Sequence, residues 1–278
     1  MRTPRPRLQY RFCVLNAHCC CRYSDKEVFI REIVSNASDA LEKLRLADLQ
    51  QGADASGSAL SISVTCDEAA GTLTVTDSGI GMSKDELVQC LGTIASSGTR
   101  SLVDKLKGAG DSSATSLIGK FGVGFYSVFM TCDSVRVTTR RRDASTGYLW
   151  SSDGSGTYSI QEAADAAAGT SVCMVLRPDC KTFAQTDEVQ RVLLKYSNFI
   201  NFPVHLNGTR INTIDAIWTK DKASISDDDH IKFFQFIADT SDMPAARLHF
   251  TVDAPIDIRA LLYTAPTPST NTTSAARA

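Results

Sequence analysis

Glu32, Asn36 and Asp39 stand four and then three residues apart, so at about 100° per residue they fall on one side of a helix. A carboxylate on the margin of an apolar face can act as a general base toward water. An amide oxygen one turn along is a suitable hard ligand for magnesium. Three polar groups on a helix flank also suit a plain solvated face, and the spacing alone does not choose. A second group is Asp77-Ser78-Gly79-Ile80-Gly81-Met82. Its glycines let the backbone approach a ligand closely and take positive φ. Asp77 is an acceptor-only group that matches the exocyclic amine donor of adenine, and Met82 offers a soft apolar surface to the ring. A hairpin-like turn with a helix cap is the other reading of these six residues. The third group is Gly119-Lys120-Phe121-Gly122-Val123-Gly124-Phe125. It is a glycine-rich loop running into a helix, where free N–H groups and the helix dipole favour phosphate. No Ser or Thr follows Gly119-Lys120, so it is not a Walker A loop. The segment before it is not the strand a dinucleotide fingerprint needs.

The elements that must position these groups follow from periodicity. The pattern predicts a helix over 25–50, capped by Ser24, with Phe29, Ile33, Ala37, Ala40, Leu41 and Leu44 as its apolar stripe. Alternation predicts strands over 61–65 and 72–76 with a turn at Ala70-Gly71, then a helix over 84–94. From Gly92 to Gly119 the chain is rich in Gly, Ser, Thr and Ala, too long and polar for an ordinary connection; it reads as a mobile lid. A helix over 123–130, strands near 135–139, 148–151, 157–160 and 170–176, and a helix over 186–199 complete an α+β sandwich with helices on one face of a mixed sheet. Residues 201–210 close this unit. A second, short unit begins near Trp218, with a helix over 229–238 and strands over 247–252 and 256–263.

The 278 residues suit about two domains. Lys+Arg 29 against Asp+Glu 31 gives a net charge of −2, which offers no polyanion-binding surface and excludes nucleic acid as the expected partner. No apolar run reaches the roughly 18 residues of a membrane span. Nine cysteines, an odd number without metal-knuckle spacing, read as small buried hydrophobes in a reducing compartment; the Cys19-Cys20-Cys21 run has no reading. Arg2, Arg5, Arg7, Arg11 and Arg22 precede the first acid, Asp25, which is the charge signature of a mitochondrial transit peptide. An unstructured start in a cytoplasmic protein is the other reading. Residues 266–278 have a composition that cannot bury a core and read as a disordered tail.

The order of the three groups resembles the ATP-binding (GHKL or Bergerat) fold shared by gyrase B, the heat-shock-protein-90 chaperones, histidine kinases and mismatch-repair MutL. The linking segments Phe29-Ile-Arg-Glu-Ile-Val-Ser-Asn-Ala-Ser-Asp-Ala, Leu91-Gly-Thr-Ile-Ala-Ser-Ser-Gly-Thr and Phe121-Gly-Val-Gly-Phe-Tyr-Ser are similar to the heat-shock-protein-90 family. The run Lys195-Tyr-Ser-Asn-Phe-Ile-Asn-Phe-Pro, with Asn207-Gly and Asn212-Thr-Ile-Asp-Ala-Ile-Trp218, is similar to its mitochondrial, tumour-necrosis-factor-receptor-associated branch. The resemblance covers about Tyr23 to Pro266. It implies an ATP-binding domain over 24–211 after an atypical basic segment, and the start of an α/β middle domain over 212–265.

By that resemblance Glu32 is the general base and Asn36 the magnesium and phosphate contact. Asp77 anchors adenine, with Gly81, Met82 and Thr170 on the base side of the pocket. Asp39, Cys90, Gly119, Lys120, Gly122, Val123, Gly124 and Phe125 complete the ATP site. Cys90 stands where the family has a polar residue, Lys120 replaces the usual glutamine, and residues 1–22 do not resemble the family's first strand and helix. The family's distal arginine, most of its client-binding surface and its dimerisation domain fall outside the resemblance. The implied function is an ATP-dependent chaperone module that binds Mg-ATP under a lid, hydrolyses it slowly and acts on unfolded client proteins, as a homodimer in the full-length family. A scaffold fragment that binds ATP without useful turnover is the alternative. A histidine kinase is a third reading, but His18, His205, His230 and His249 lack the setting of a phosphoacceptor.

Overall fold

The computed structural model describes residues 8–11, 25–50, 60–92, 124–212, 217–238, 240–252 and 258–266. The expected lid over 92–119 beyond Gly92, the Cys19-Cys21 run, Ser24 and most of the tail lie outside them. The chain divides into two units, 1–213 and 214–278.

In the first unit the described elements are β1 (Leu8–Arg11), α1 (Val28–Gln50), β2 (Ile62–Asp67), β3 (Thr72–Asp77), α2 (Lys84–Leu91), a 3-10 helix (Gly124–Met130), β4 (Cys132–Arg140), β5 (Gly147–Ser152), β6 (Thr157–Ala163), β7 (Gly169–Leu176), a second 3-10 helix (Pro178–Ala184), α3 (Thr186–Tyr196), β8 (Val204–Leu206) and β9 (Thr209–Arg210). The described strands form one nine-stranded sheet in the order β1-β6-β5-β4-β7-β3-β2-β8-β9. Its ladders are antiparallel except β2 with β8, which pairs Ile62 with Val204 in parallel. The sheet is therefore mixed and mostly antiparallel, with helices on one face, as the sequence predicts.

The period of two sorts the strands into faces. Ile62, Val64, Leu73, Val75, Val135, Val137, Trp150, Ile160, Val172 and Met174 point into the core, where they meet Phe29, Ile30, Ile33, Val34, Ala37 and Leu41 of α1. The other face carries hydroxyls that bridge neighbouring strands, Thr76 to Ser171 and Ser151 to Ser159, each at 2.8 Å.

Four expectations need correction. The first helix begins at Val28, not Asp25, because Asp25 Oδ1 accepts the Glu27 N–H at 3.3 Å and its carbonyl accepts the Val28 N–H, closing a turn ahead of the helix. Residues 8–11, read as part of a transit peptide or of an unstructured start, pair as an edge strand with Thr157–Ile160 of β6. The segment opening at Gly124 is a 3-10 helix rather than an α-helix, too short for the periodic signal to tell the two apart. The helices over 84–94 and 186–199 stop at Leu91, with Gly92 as C-cap, and at Tyr196.

The second unit holds α4 (Asp227–Ala238) and a hairpin of β10 (Ala246–Val252) with β11 (Ile258–Thr264). Phe233 packs on Trp218 and Phe234 on Tyr263, and His230 Nδ1 lies 2.7 Å from the Tyr263 hydroxyl. His230 and His249 are buried here, in settings that serve packing rather than phosphate transfer. Cys66, Cys132, Cys173 and Cys180 are free thiols.

Candidate functional site

Helix α1 is the spine of the site. Its apolar stripe locks one face into the core and leaves Glu32 and Lys43 half-buried at the flank, Asn36 exposed and Asp39 buried. Arg31 Nε and Nη2 donate to Glu32 Oε1 at 3.2 and 2.7 Å. The other oxygen, Oε2, lies against Gly124: a Cβ built on that glycine would stand 2.2 Å from it. Glu32 is thus gripped by a cation on one side and laid over the end of the glycine-rich loop on the other. Lys43, one turn beyond Asp39, drew no notice in the sequence, although its spacing from Asp39 and Asn36 puts it on their face. Burial pushes its ammonium below the usual lysine range, opposed by the charges of Asp39, Cys90 and Glu86. That places Cys90 of α2 within electrostatic reach of α1.

The Asp77 turn is fastened to the same helix. Gly79 packs so tightly on Ala40 that a Cβ would lie 2.6 Å from the Ala40 carbonyl carbon, and Ile80 N–H donates to Ala40 O at 3.2 Å. Gly81, at φ +67°, backs onto Arg140 O, 2.1 Å from where a Cβ would be. Only glycine fits both the dihedral and the gap. Asp77 Oδ1 accepts the Gly79 N–H at 2.9 Å. Its carboxyl is buried, which pushes its pKa up to about 7, against the lowering effect of the Gly79 and Thr170 N–H groups. Thr170 faces Asp77 across the β3–β7 ladder. Thr139 Oγ1 accepts the Met82 N–H at 3.0 Å and donates to Gly169 O at 3.0 Å, leaving Thr170 Oγ1, also at 3.0 Å, to donate to it. The structure thus gathers Asp77, Gly81, Met82 and Thr170 around Thr139, a residue the sequence did not single out.

Of the glycine-rich loop, Gly119, Lys120, Gly122 and Val123 lie outside the described residues. Gly124 opens the 3-10 helix and its carbonyl accepts from Ser127 Oγ at 2.6 Å. The Phe125 side chain is 8% exposed and makes edge contacts with Tyr126, Phe129 and Trp150. The ring is therefore core, and any contact of Phe125 with a phosphate falls to its backbone N–H.

A half-buried carboxylate over a glycine loop, joined by one helix to a buried aspartate at a glycine turn, is the arrangement of a nucleotide-binding α+β sandwich. Residues 23–172 match the family model described as histidine kinase-, DNA gyrase B-, and HSP90-like ATPase, and the chain belongs to that family. Residues 207–277 match a second model, Hsp90 protein, which places the chain on the Hsp90 branch. Its relatives include the chaperone protein HtpG of Desulfitobacterium hafniense, 46% identical over 243 residues. The mitochondrial heat shock protein 75 kDa of Rattus norvegicus is 48% identical over 242 residues. The mitochondrial TNF receptor-associated protein 1 homolog of Dictyostelium discoideum is 43% identical over 244 residues. Each alignment covers 87% of this chain but only 40%, 34% and 34% of these relatives in turn.

Proposed function

We propose that the chain is an ATP-dependent chaperone module that binds ATP with magnesium and hydrolyses it slowly. The observation that carries this reading is the pairing of Glu32 with Gly124 at one end of α1 and of the Asp77 turn with Ala40 further along the helix. Eight residues, about 12 Å of helix, separate the two ends, room for an extended nucleotide to lie between a base anchor and a phosphate loop. Asp77 takes the exocyclic amine, with Gly81, Met82 and Thr170 beside the base. Asn36, Gly119, Lys120, Gly122, Val123, Gly124 and Phe125 hold the phosphate side, and Asp39 and Cys90 complete the ATP site.

Among the described residues no cluster of three His, Cys, Asp or Glu could hold a metal. That fits magnesium, which keeps several waters and takes most of its remaining ligands from substrate phosphates; the exposed amide of Asn36 would supply a single protein oxygen. Magnesium, when bound, neutralises phosphate charge. Glu32 Oε2, turned toward Gly124, is placed to take a proton from an attacking water, while Arg31 on Oε1 keeps the carboxylate from rotating away.

By the family resemblance, unfolded client proteins are the macromolecular substrate, and full-length members of the family act as homodimers. The arginine-rich, acid-free segment before Asp25 favours a mitochondrial address over a cytoplasmic one, which a fluorescent fusion of residues 1–24 would test. For the central reading, titration calorimetry and single-turnover hydrolysis of Glu32→Ala decide. ATP affinity should stay within about twofold, and hydrolysis should fall by about 10² or more. Undiminished hydrolysis would remove Glu32 from the mechanism.

A further inference from the structure

Helix α3 reaches the base through a chain of contacts that the proposed chemistry does not itself require. Glu27, 5% exposed, accepts from three groups of α3: Arg191 Nη2 on Oε2, and Lys195 Nζ and the Tyr196 hydroxyl on Oε1, the last at 2.7 Å. The Tyr196 hydroxyl is thereby fixed at the foot of α1. Its ring meets the next turn of that helix: the Arg31 guanidinium carbon stands 5.6 Å from the ring centroid. Arg31 in turn holds Glu32 Oε1 with two nitrogens. An aromatic face at this distance attracts a guanidinium through its quadrupole and restricts where a long, flexible side chain can go. The Arg31 side chain is 41% exposed, so without such a seat water competes for it.

We propose that Tyr196 is a positioning residue for the Arg31–Glu32 pair: its ring seats the guanidinium that holds Glu32 Oε1, and its hydroxyl, bound to Glu27, holds the ring. The inference rests on Glu32 being the general base. As a positioning residue Tyr196 acts on Glu32 through Arg31, so its loss affects the rate more than nucleotide affinity. It is also the last residue of α3, just before the segment that leads to β8. A shift at this helix end would therefore be felt at the base.

The test compares Tyr196→Leu, Tyr196→Phe and Tyr196→Trp, with Tyr196→Leu repeated in an Arg31→Ala background. Two readouts are taken, the exchange of the Arg31 Nε–H with water by NMR and single-turnover hydrolysis, with ATP affinity and thermal unfolding as controls. Tyr196→Leu should speed Arg31 exchange and slow hydrolysis by about two- to fivefold, the range an exposed cation–aromatic contact supports, with affinity unchanged. Tyr196→Phe and Tyr196→Trp, which keep an aromatic face and guard against a folding defect in the leucine variant, should retain more than half the wild-type rate. In the Arg31→Ala background Tyr196→Leu should have no further effect. Unchanged Arg31 exchange in Tyr196→Leu, or an equal loss of rate in the Arg31→Ala background, would overturn the proposal. Hydrolysis indifferent to Glu32→Ala would instead overturn the base assignment, and Arg31 exchange would still decide the seat.

Discussion

Glu32 Oε2 and Gly124 are in such close contact that the glycine has no room for a methyl group without moving the carboxylate. The obstacle is the far end of a side chain rather than backbone, so Gly124→Ala should fold. It should shift the melting temperature by only a few degrees while turning Glu32 away from the loop. Single-turnover hydrolysis should fall by about tenfold or more, since a small misplacement of a catalytic group is expensive. A Gly124→Ala protein with wild-type turnover would show that this contact does not set the position of the base.

As the proposed adenine anchor, Asp77 should carry the pH dependence of binding. In the unfolded chain its carboxyl ionises near 3.8 and in the fold near about 7. Its contribution to stability is therefore full below about 3.8 and is lost as pH rises toward about 7. Adenine works in the opposite direction, because its amine needs the ionised acceptor. Affinity for adenine nucleotide should fall as pH drops below about 7, approaching tenfold per unit. Asp77→Asn should bind about 30- to 150-fold more weakly and lose this slope. Calorimetry across the pH range checks both, and a slope that survives in Asp77→Asn would assign the titration elsewhere.

Glu27 has the reverse sign. Burial raises its pKa, but hydrogen bonds from Lys195, Arg191 and Tyr196 outweigh that and bring it down from 4.5 to about 2. The stability it adds is present above about 4.5 and is lost as pH falls toward about 2. With allowance for the solvent-exposed partners, it amounts to about 2 kcal/mol at neutral pH. Urea unfolding of Glu27→Gln should show a deficit of that order at pH near 7 that closes in acid. A deficit independent of pH would mean that packing, not charge, is what the substitution removes.

Two glycines with positive φ should respond differently to alanine. Gly208, at φ +86°, has nothing within 4 Å of a built Cβ, so Gly208→Ala should cost only the dihedral strain, about 1 kcal/mol. Gly169, at φ +103°, would place its Cβ 2.1 Å from the Asp77 carbonyl oxygen, which is backbone and cannot swing aside. Gly169→Ala should therefore destabilise by at least about 3 kcal/mol and weaken nucleotide binding by disturbing Asp77 and Thr170. Equal costs in urea unfolding would contradict the close approach of β7 to the Asp77 turn.

The strands were legible because alternation marks a sheet buried on one face, as in Ile62, Val64 and Leu73, Val75. α1 was legible because Phe29, Ile33, Ala37 and Leu41 repeat at helical spacing. The candidate residues were legible as types, but their supports were not. Thr139 meets Met82 from 57 positions away, and Tyr196 meets Glu27 from 169 away; no local pattern encodes such pairings. α1 starts late for a local reason, the turn that Asp25 closes on the Glu27 and Val28 N–H groups. β1 was missed because four residues are too few to show an alternation.

The parallel pairing of Ile62 with Val204 has a consequence in time. β2 and β3 form a local hairpin, but the outer partner of β2 lies about 140 residues downstream, and β7, the inner partner of β3, lies about 100 downstream. At a synthesis rate of about 5–20 residues per second, the hairpin leaves the ribosome roughly 7–30 s before β8 exists. Until β7 emerges, roughly 5–20 s after β3, both edges of the hairpin are open to any passing strand, and the outer edge stays open until β8 follows. A protein of a chaperone family thus spends the first part of its own life as a chain in need of protection.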